Sequence, residues 1–192
     1  MDTQLDLAPA ALRMAALVSD VPEDSLDRPT PCERYRVGDL LDHIAGAVQA
    51  FTAAAIKRPL AGGPSGDVAN LAPEWRIRIP RDLDALARAW RRADAWEGMT
   101  AAGGVDLPAE VAGVVALDEL VIHGWDLARA IGQSGEYDGP ELEAVFAMAQ
   151  HFAGSGVDGL FGPPVDVEPG APLLHRILGL SGRDPRWRPP PA

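Results

Sequence analysis

Apolar side chains recur at helical spacing in one stretch after another of this chain, and no convincing strand-like alternation interrupts them. Residues 7–18 carry Leu7, Leu12, Met14, Leu17 and Val18 among alanines, with Pro9 where a first turn tolerates it, and predict a helix that stops near Pro22. Residues 26–36 collect Asp27, Pro29, Thr30 and Pro31 and predict a loop holding Cys32. Leu40, Leu41, Ile44, Val48 and Phe51 set a second helix over residues 37–57, with His43 inside it. Glycine, proline, serine, aspartate and asparagine then make residues 59–73 a mobile, exposed connection.

Leu83, Leu86, Ala89, Trp90 and Ala93 predict a third helix over residues 82–96, ending at Gly98. After a short non-helical stretch, the longest helical pattern covers residues 108–131, entered through Asp106 and Pro108 and closed by Gly132. Residues 140–153 form the last major helix, opened by Pro140 and closed by Gly154. From about residue 155 to 192 the chain is an irregular tail rich in glycine and proline, with one short helical candidate at 173–178. There is no internal repeat. The pattern predicts an all-α helix bundle, with at most a minor extended segment, forming one domain over residues 1–192.

Composition narrows the function classes more than the fold. A chain of 192 residues with 47% hydrophobic content can bury one good core. Seventeen basic against 28 acidic residues give a formal charge of -11, which sets the chain against nucleic acid and anionic membrane surfaces. The start Met1-Asp2-Thr3-Gln4 lacks the basic and apolar regions of a signal peptide. The apolar stretches, such as residues 109–117 with Glu110 inside, fall short of the ~20 residues that span a bilayer. Cys32, the single cysteine, cannot form an internal disulfide, and this suits a reducing compartment. The expectation is a soluble, cytoplasmic protein.

The chemistry concentrates on the 108–131 helix. Glu119 and His123 are four residues apart and share one helix face, with Asp126 close to the same stripe. Imidazole and carboxylate suit zinc and neighbouring divalent ions, and three protein ligands leave a position for water or substrate. A third ligand has to come from elsewhere, and His43, mid-helix beside core positions, is the best candidate. The plainer alternative is a hydrogen-bonded Glu–His pair, since the spacing has little motif specificity. Asp126 is either an acceptor that orients an imidazole N–H or a surface carboxylate. Trp125 reads as packing. His151 reads as a cation at a helix C-terminus rather than a fourth ligand, and His175 falls in the tail. Cys32 reads as a small buried residue before a ligand or nucleophile. Phosphate-binding glycine loops, a Gly-x-Ser-x-Gly elbow and Cys-x-x-Cys pairs are absent.

Taken together, these segments resemble a known family. Thr30-Pro31-Cys32 followed by Val37-Gly38-Asp39-Leu40-Leu41-Asp42-His43-Ile44-Ala45-Gly46 is similar to the second-helix signature of actinobacterial proteins related to mycothiol-dependent maleylpyruvate isomerase, within the DinB-like superfamily. Glu119-Leu120-Val121-Ile122-His123-Gly124-Trp125-Asp126-Leu127-Ala128 resembles the later ligand-bearing helix, and Leu178 to Trp187 resembles the end of an uncharacterised metal-binding branch. The resemblance implies a DinB-like four-helix bundle in which His43, Glu119 and His123 meet on a divalent ion, usually zinc, with nickel and other metals in the wider superfamily. It also implies mycothiol as a cosubstrate, a small electrophilic substrate, and room for a homodimer. Tyr35 stands where the family usually has tryptophan. The isomerase itself is expected to carry a further C-terminal domain that this sequence lacks, so isomerase activity is not implied.

Three functions compete at this point. In the leading one, a metal- and thiol-dependent transferase or isomerase-like enzyme uses His43, Glu119 and His123 as ligands, with Asp126 behind them. Hydrolysis by metal-activated water would use the same ligands, but no general base stands out in the sequence. A non-catalytic metal-binding or interaction protein would use the ion to hold the bundle together.

Overall fold

Each long helix buries its apolar stripe against two neighbours, and the four together close into a ring. The computed structural model describes residues 5–63, 66–137, 139–153 and 161–190. Helix α1 (Ala8–Asp20) packs against α3 (Trp75–Trp90) and α4 (Ala109–Ala130), and α2 (Val37–Ala55) packs against the same two. Helix α5 (Glu141–Phe152) lies against α4, and α6 (Leu173–Leu180) lies against α5. Met14, Val18, Leu41, Ile44, Leu83, Leu117 and Leu120 meet in the shared core. The protein is therefore all-α in class, as the periodicity predicts, with a four-helix bundle and additional short helices. No helix of the described residues is long and apolar enough to cross a membrane. Gly154, expected to close α5, lies outside the described residues, as does part of the 155–192 tail.

Helix α3 departs from its expected limits. It begins at Trp75 and ends at Trp90, so the 82–96 helix is displaced towards the N-terminus. Its stripe of Trp75, Ile79, Leu83, Leu86 and Trp90 runs through Pro80, and the burial of those large side chains outweighs one missing backbone hydrogen bond. Residues 93–96 form a separate 3-10 turn. The stretch after Gly98 is a hairpin of β1 (Met99–Ala102) and β2 (Val105–Pro108), paired antiparallel with Met99 opposite Pro108. Gly103 and Gly104 take φ of 61° and 80°, the double left-handed turn whose twist matches such a ribbon. Within the 59–73 connection, residues 67–70 are tied down. Val68–Asn70 is a 3-10 turn, and α2 accepts from it at Asp39 (Val68 N–H, 2.9 Å) and Asp42 (Asp67 N–H, 3.1 Å).

Helix α4 determines where chemistry can occur. Wrapped by α1, α2 and α5, it is buried almost all round from Leu117 to Ala128. A helix in that position is expected to be apolar throughout. It nevertheless carries Asp118, Glu119, His123 and Asp126, and four ionisable groups in a buried segment need partners or a function.

Candidate metal centre

The loop before α2 is shaped by Thr30. Its hydroxyl donates to the Tyr35 carbonyl at 2.7 Å and accepts from the Cys32 N–H at 3.1 Å, which closes the turn and places Tyr35 ahead of α2. Asp39 then accepts from the Arg36 N–H at 3.1 Å and satisfies one open donor at the helix start. One turn further on, His43 faces the bundle interior and is buried.

Across the interface, α4 presents Glu119 and His123. The His43 Nε2 lies 3.2 Å from Glu119 Oε2, and the His123 Nε2 lies 3.4 Å from the same oxygen. One ligand atom from each of the three residues falls within 4.8 Å of the others. The two imidazoles stand edge to face with centroids 4.8 Å apart. Both turn their other nitrogen away: His43 Nδ1 is 3.4 Å from the Tyr35 hydroxyl, and His123 Nδ1 is 3.0 Å from Asp126 Oδ2. Glu119 keeps 24% of its side chain exposed, against 9% and 7% for the histidines, so the cluster opens to solvent on the carboxylate side. Two imidazole nitrogens and a carboxylate oxygen form a donor set that fits a divalent ion and leaves further positions open.

The electrostatics favour a charged Glu119. Burial by itself would raise its pKa, but the His43 hydrogen bond and the electrostatic influence of His123, His43 and Arg183 outweigh burial and hold it at about 2. Burial likewise opposes charge on Asp126, and Arg183 and His123 bring its pKa below the ordinary carboxylate value. Asp118 moves the other way. Burial, reinforced by the charges of Glu119 and Asp126, pushes it well above that value, and its Oδ1 is buried without a hydrogen-bond partner. Burial also raises the Tyr35 phenol.

The structure brings together His43, Glu119 and His123, and it places Asp126 behind His123 and fully buried, not on the surface. His151 sits exposed in the last turn of α5, where a helix-end cation belongs, and His175 sits on α6; neither joins the cluster. Cys32 is buried, and burial raises its thiol pKa. Trp125 is core. The sequence reading missed Arg183, which donates to Asp126 from the segment after α6. The available signal was the excess of carboxylates over cations in the 117–128 segment, because a buried carboxylate calls for a cation somewhere in the chain.

Comparison with known proteins bears on the family and the fold. Residues 7–128 match the family described as mycothiol maleylpyruvate isomerase N-terminal domain. An uncharacterised protein of Mycobacterium tuberculosis, found in strains CDC 1551 / Oshkosh and H37Rv, is 31% identical over 183 residues, covering 90% of this chain and 92% of its own. The crystal structure of the mycothiol-dependent maleylpyruvate isomerase has the same fold, with a TM-score of 0.63 at 17% identity. That likeness takes in 94% of this chain and 88% of the other, so the expected lack of a further C-terminal domain finds no support there.

Proposed function

The chain belongs to the mycothiol maleylpyruvate isomerase N-terminal domain family, and from that membership together with its His–Glu–His cluster we propose a divalent-metal-dependent enzyme that uses a low-molecular-weight thiol such as mycothiol. The reaction class is thiol transfer or a thiol-assisted isomerisation of a small electrophile. One observation carries the reading: three donor atoms of the right chemistry converge on a buried helix interface and stay open to solvent on one side.

His43 Nε2, Glu119 Oε2 and His123 Nε2 would hold the ion, and zinc suits this set best, with nickel the next candidate. Bound there, the ion supplies the positive charge that favours a thiolate over a thiol at neutral pH. Tyr35 and Asp126 hold the far nitrogens, so that each imidazole turns Nε2 inward. Glu119, kept ionised by its neighbours, brings negative charge without a proton to lose. The buried walls contributed by α2 and α4 exclude water from the rear of the site, and substrate approaches from the side of Glu119.

The test is metal analysis of the purified protein and of His123→Ala, alongside a screen for thiol-dependent turnover. About one equivalent in the wild type and loss in the variant are expected. Equal stoichiometric metal in both would overturn the ligand assignment. A structural role for the ion would appear as a large drop in melting temperature with chelator.

A further inference from the structure

A neutral imidazole has one N–H, and only the other nitrogen offers a lone pair to an ion. For His123 the choice depends on Asp126, whose Oδ2 lies 3.0 Å from Nδ1. Asp126 is 0% exposed, so bulk water cannot set the direction of its carboxylate. Arg183 sets it. Arg183 Nη2 donates to Oδ2 at 3.1 Å and Nε approaches Oδ1 at 3.5 Å, a fork against both carboxylate oxygens.

The guanidinium is itself fixed. Its Nη1 donates to the Ser181 carbonyl at 2.8 Å, and the Arg183 N–H donates to the Leu178 carbonyl at 2.8 Å. Gly182, with φ of 81°, turns the chain back after α6 so that the side chain can enter the bundle. Arg183 is 7% exposed and lies 57 residues beyond Asp126, outside the 7–128 region that matches the family.

We propose that Arg183 is a positioning residue: through Asp126 it selects the Nδ1–H tautomer of His123 and aims Nε2 at the ion site, which makes docking of the tail part of building the site. The affinity arm of the test below rests on His43, Glu119 and His123 being metal ligands, while the tautomer arm does not. Because coupling between sites is reciprocal, an ion bound at Nε2 in turn favours the docked tail.

The experiment uses metal-free protein labelled with 15N-histidine at high pH, read by long-range 1H–15N NMR, with His123→Gln assigning the resonance. Removing Arg183 alone strands a buried carboxylate and risks unfolding, so Arg183→Met is accompanied by the double variant Asp126→Asn/Arg183→Met, which leaves no unpaired charge. An unclamped amide can present either oxygen or NH2 to Nδ1. Wild type is expected in the Nδ1–H form, and the double variant in a mixture of both forms with cobalt affinity lowered about 10–100-fold. Arg183→Lys, which cannot make the two-pronged contact, should fall between.

An Nε2–H tautomer in the wild type would overturn the proposal. So would a folded double variant that keeps both the wild-type tautomer and its cobalt affinity. Wild type that binds no cobalt but shows the tautomer response would refute the metal reading and support the positioning role.

Discussion

Gly124, next to His123, is where a single methyl should test how α4 is held. A Cβ built there would overlap the Tyr137 hydroxyl and meet its Cζ at 3.0 Å. The phenol cannot easily retreat, because it is buried, donates to the Leu120 carbonyl at 3.1 Å and carries the Arg13 guanidinium 4.7 Å over its ring. Gly124→Ala therefore forces the ring away and leaves a buried hydroxyl unsatisfied, at a cost of about 1–3 kcal/mol. Overpacking adds about 1–3 kcal/mol. Helix propensity returns about 1 kcal/mol, so the expected net loss is roughly 1–5 kcal/mol. In a domain of this size each kcal/mol lowers the melting temperature by about 2–4 °C. The assay is urea and thermal unfolding followed by circular dichroism, with an unchanged m-value. In a Tyr137→Phe background the nearest contact relaxes to the ring carbon, so the alanine should cost less than half as much. An alanine variant as stable as wild type, or a penalty indifferent to the phenol, would refute the reasoning.

Glu119 gives a pH signature in metal-free protein. Its folded pKa of about 2 lies below its ordinary 4.5, so its stabilisation is present above that ordinary value and is lost as pH falls through 4.5 towards 2. Wild type should lose stability more steeply than Glu119→Gln over that window, and parallel acid-unfolding curves would count against the paired carboxylate. Cys32, buried and with its thiol pKa raised by that burial, should react with a thiol reagent many-fold slower in folded than in urea-unfolded protein; equal rates would place it at the surface. Gly104→Val, forced into a φ of 80°, should destabilise the protein by about 1–2 kcal/mol in chemical denaturation.

The sequence made the site more legible than its surroundings. Glu119 and His123 share a face because of helix geometry alone, and His43 could be singled out because it sits among core-facing positions of an amphipathic helix. Arg183 was hidden because its partner is distant in sequence, and no local periodicity records a contact across 57 residues. Helix α3 was misplaced because proline is a strong local breaker, whereas the buried stripe from Trp75 to Trp90 is a tertiary effect. The hairpin was passed over although its Gly103-Gly104 turn is a direct signal, since four-residue arms are too short for alternation to register.

The same hairpin has a consequence for how this chain can vary. Thr100 on β1 donates to the Ala54 carbonyl at 2.8 Å near the end of α2, and the Ala109 N–H at the start of α4 donates to the Gly98 carbonyl at 2.9 Å. The helices that carry His43 and Glu119 are thus aligned at their far ends, several turns from those two residues. Residues inserted at the glycine tip project outward and leave that alignment alone. A single residue inserted in either arm would reverse the inward and outward faces of the ribbon and shift α4 along α2. Length variation among related chains should therefore gather at the tip and avoid the arms.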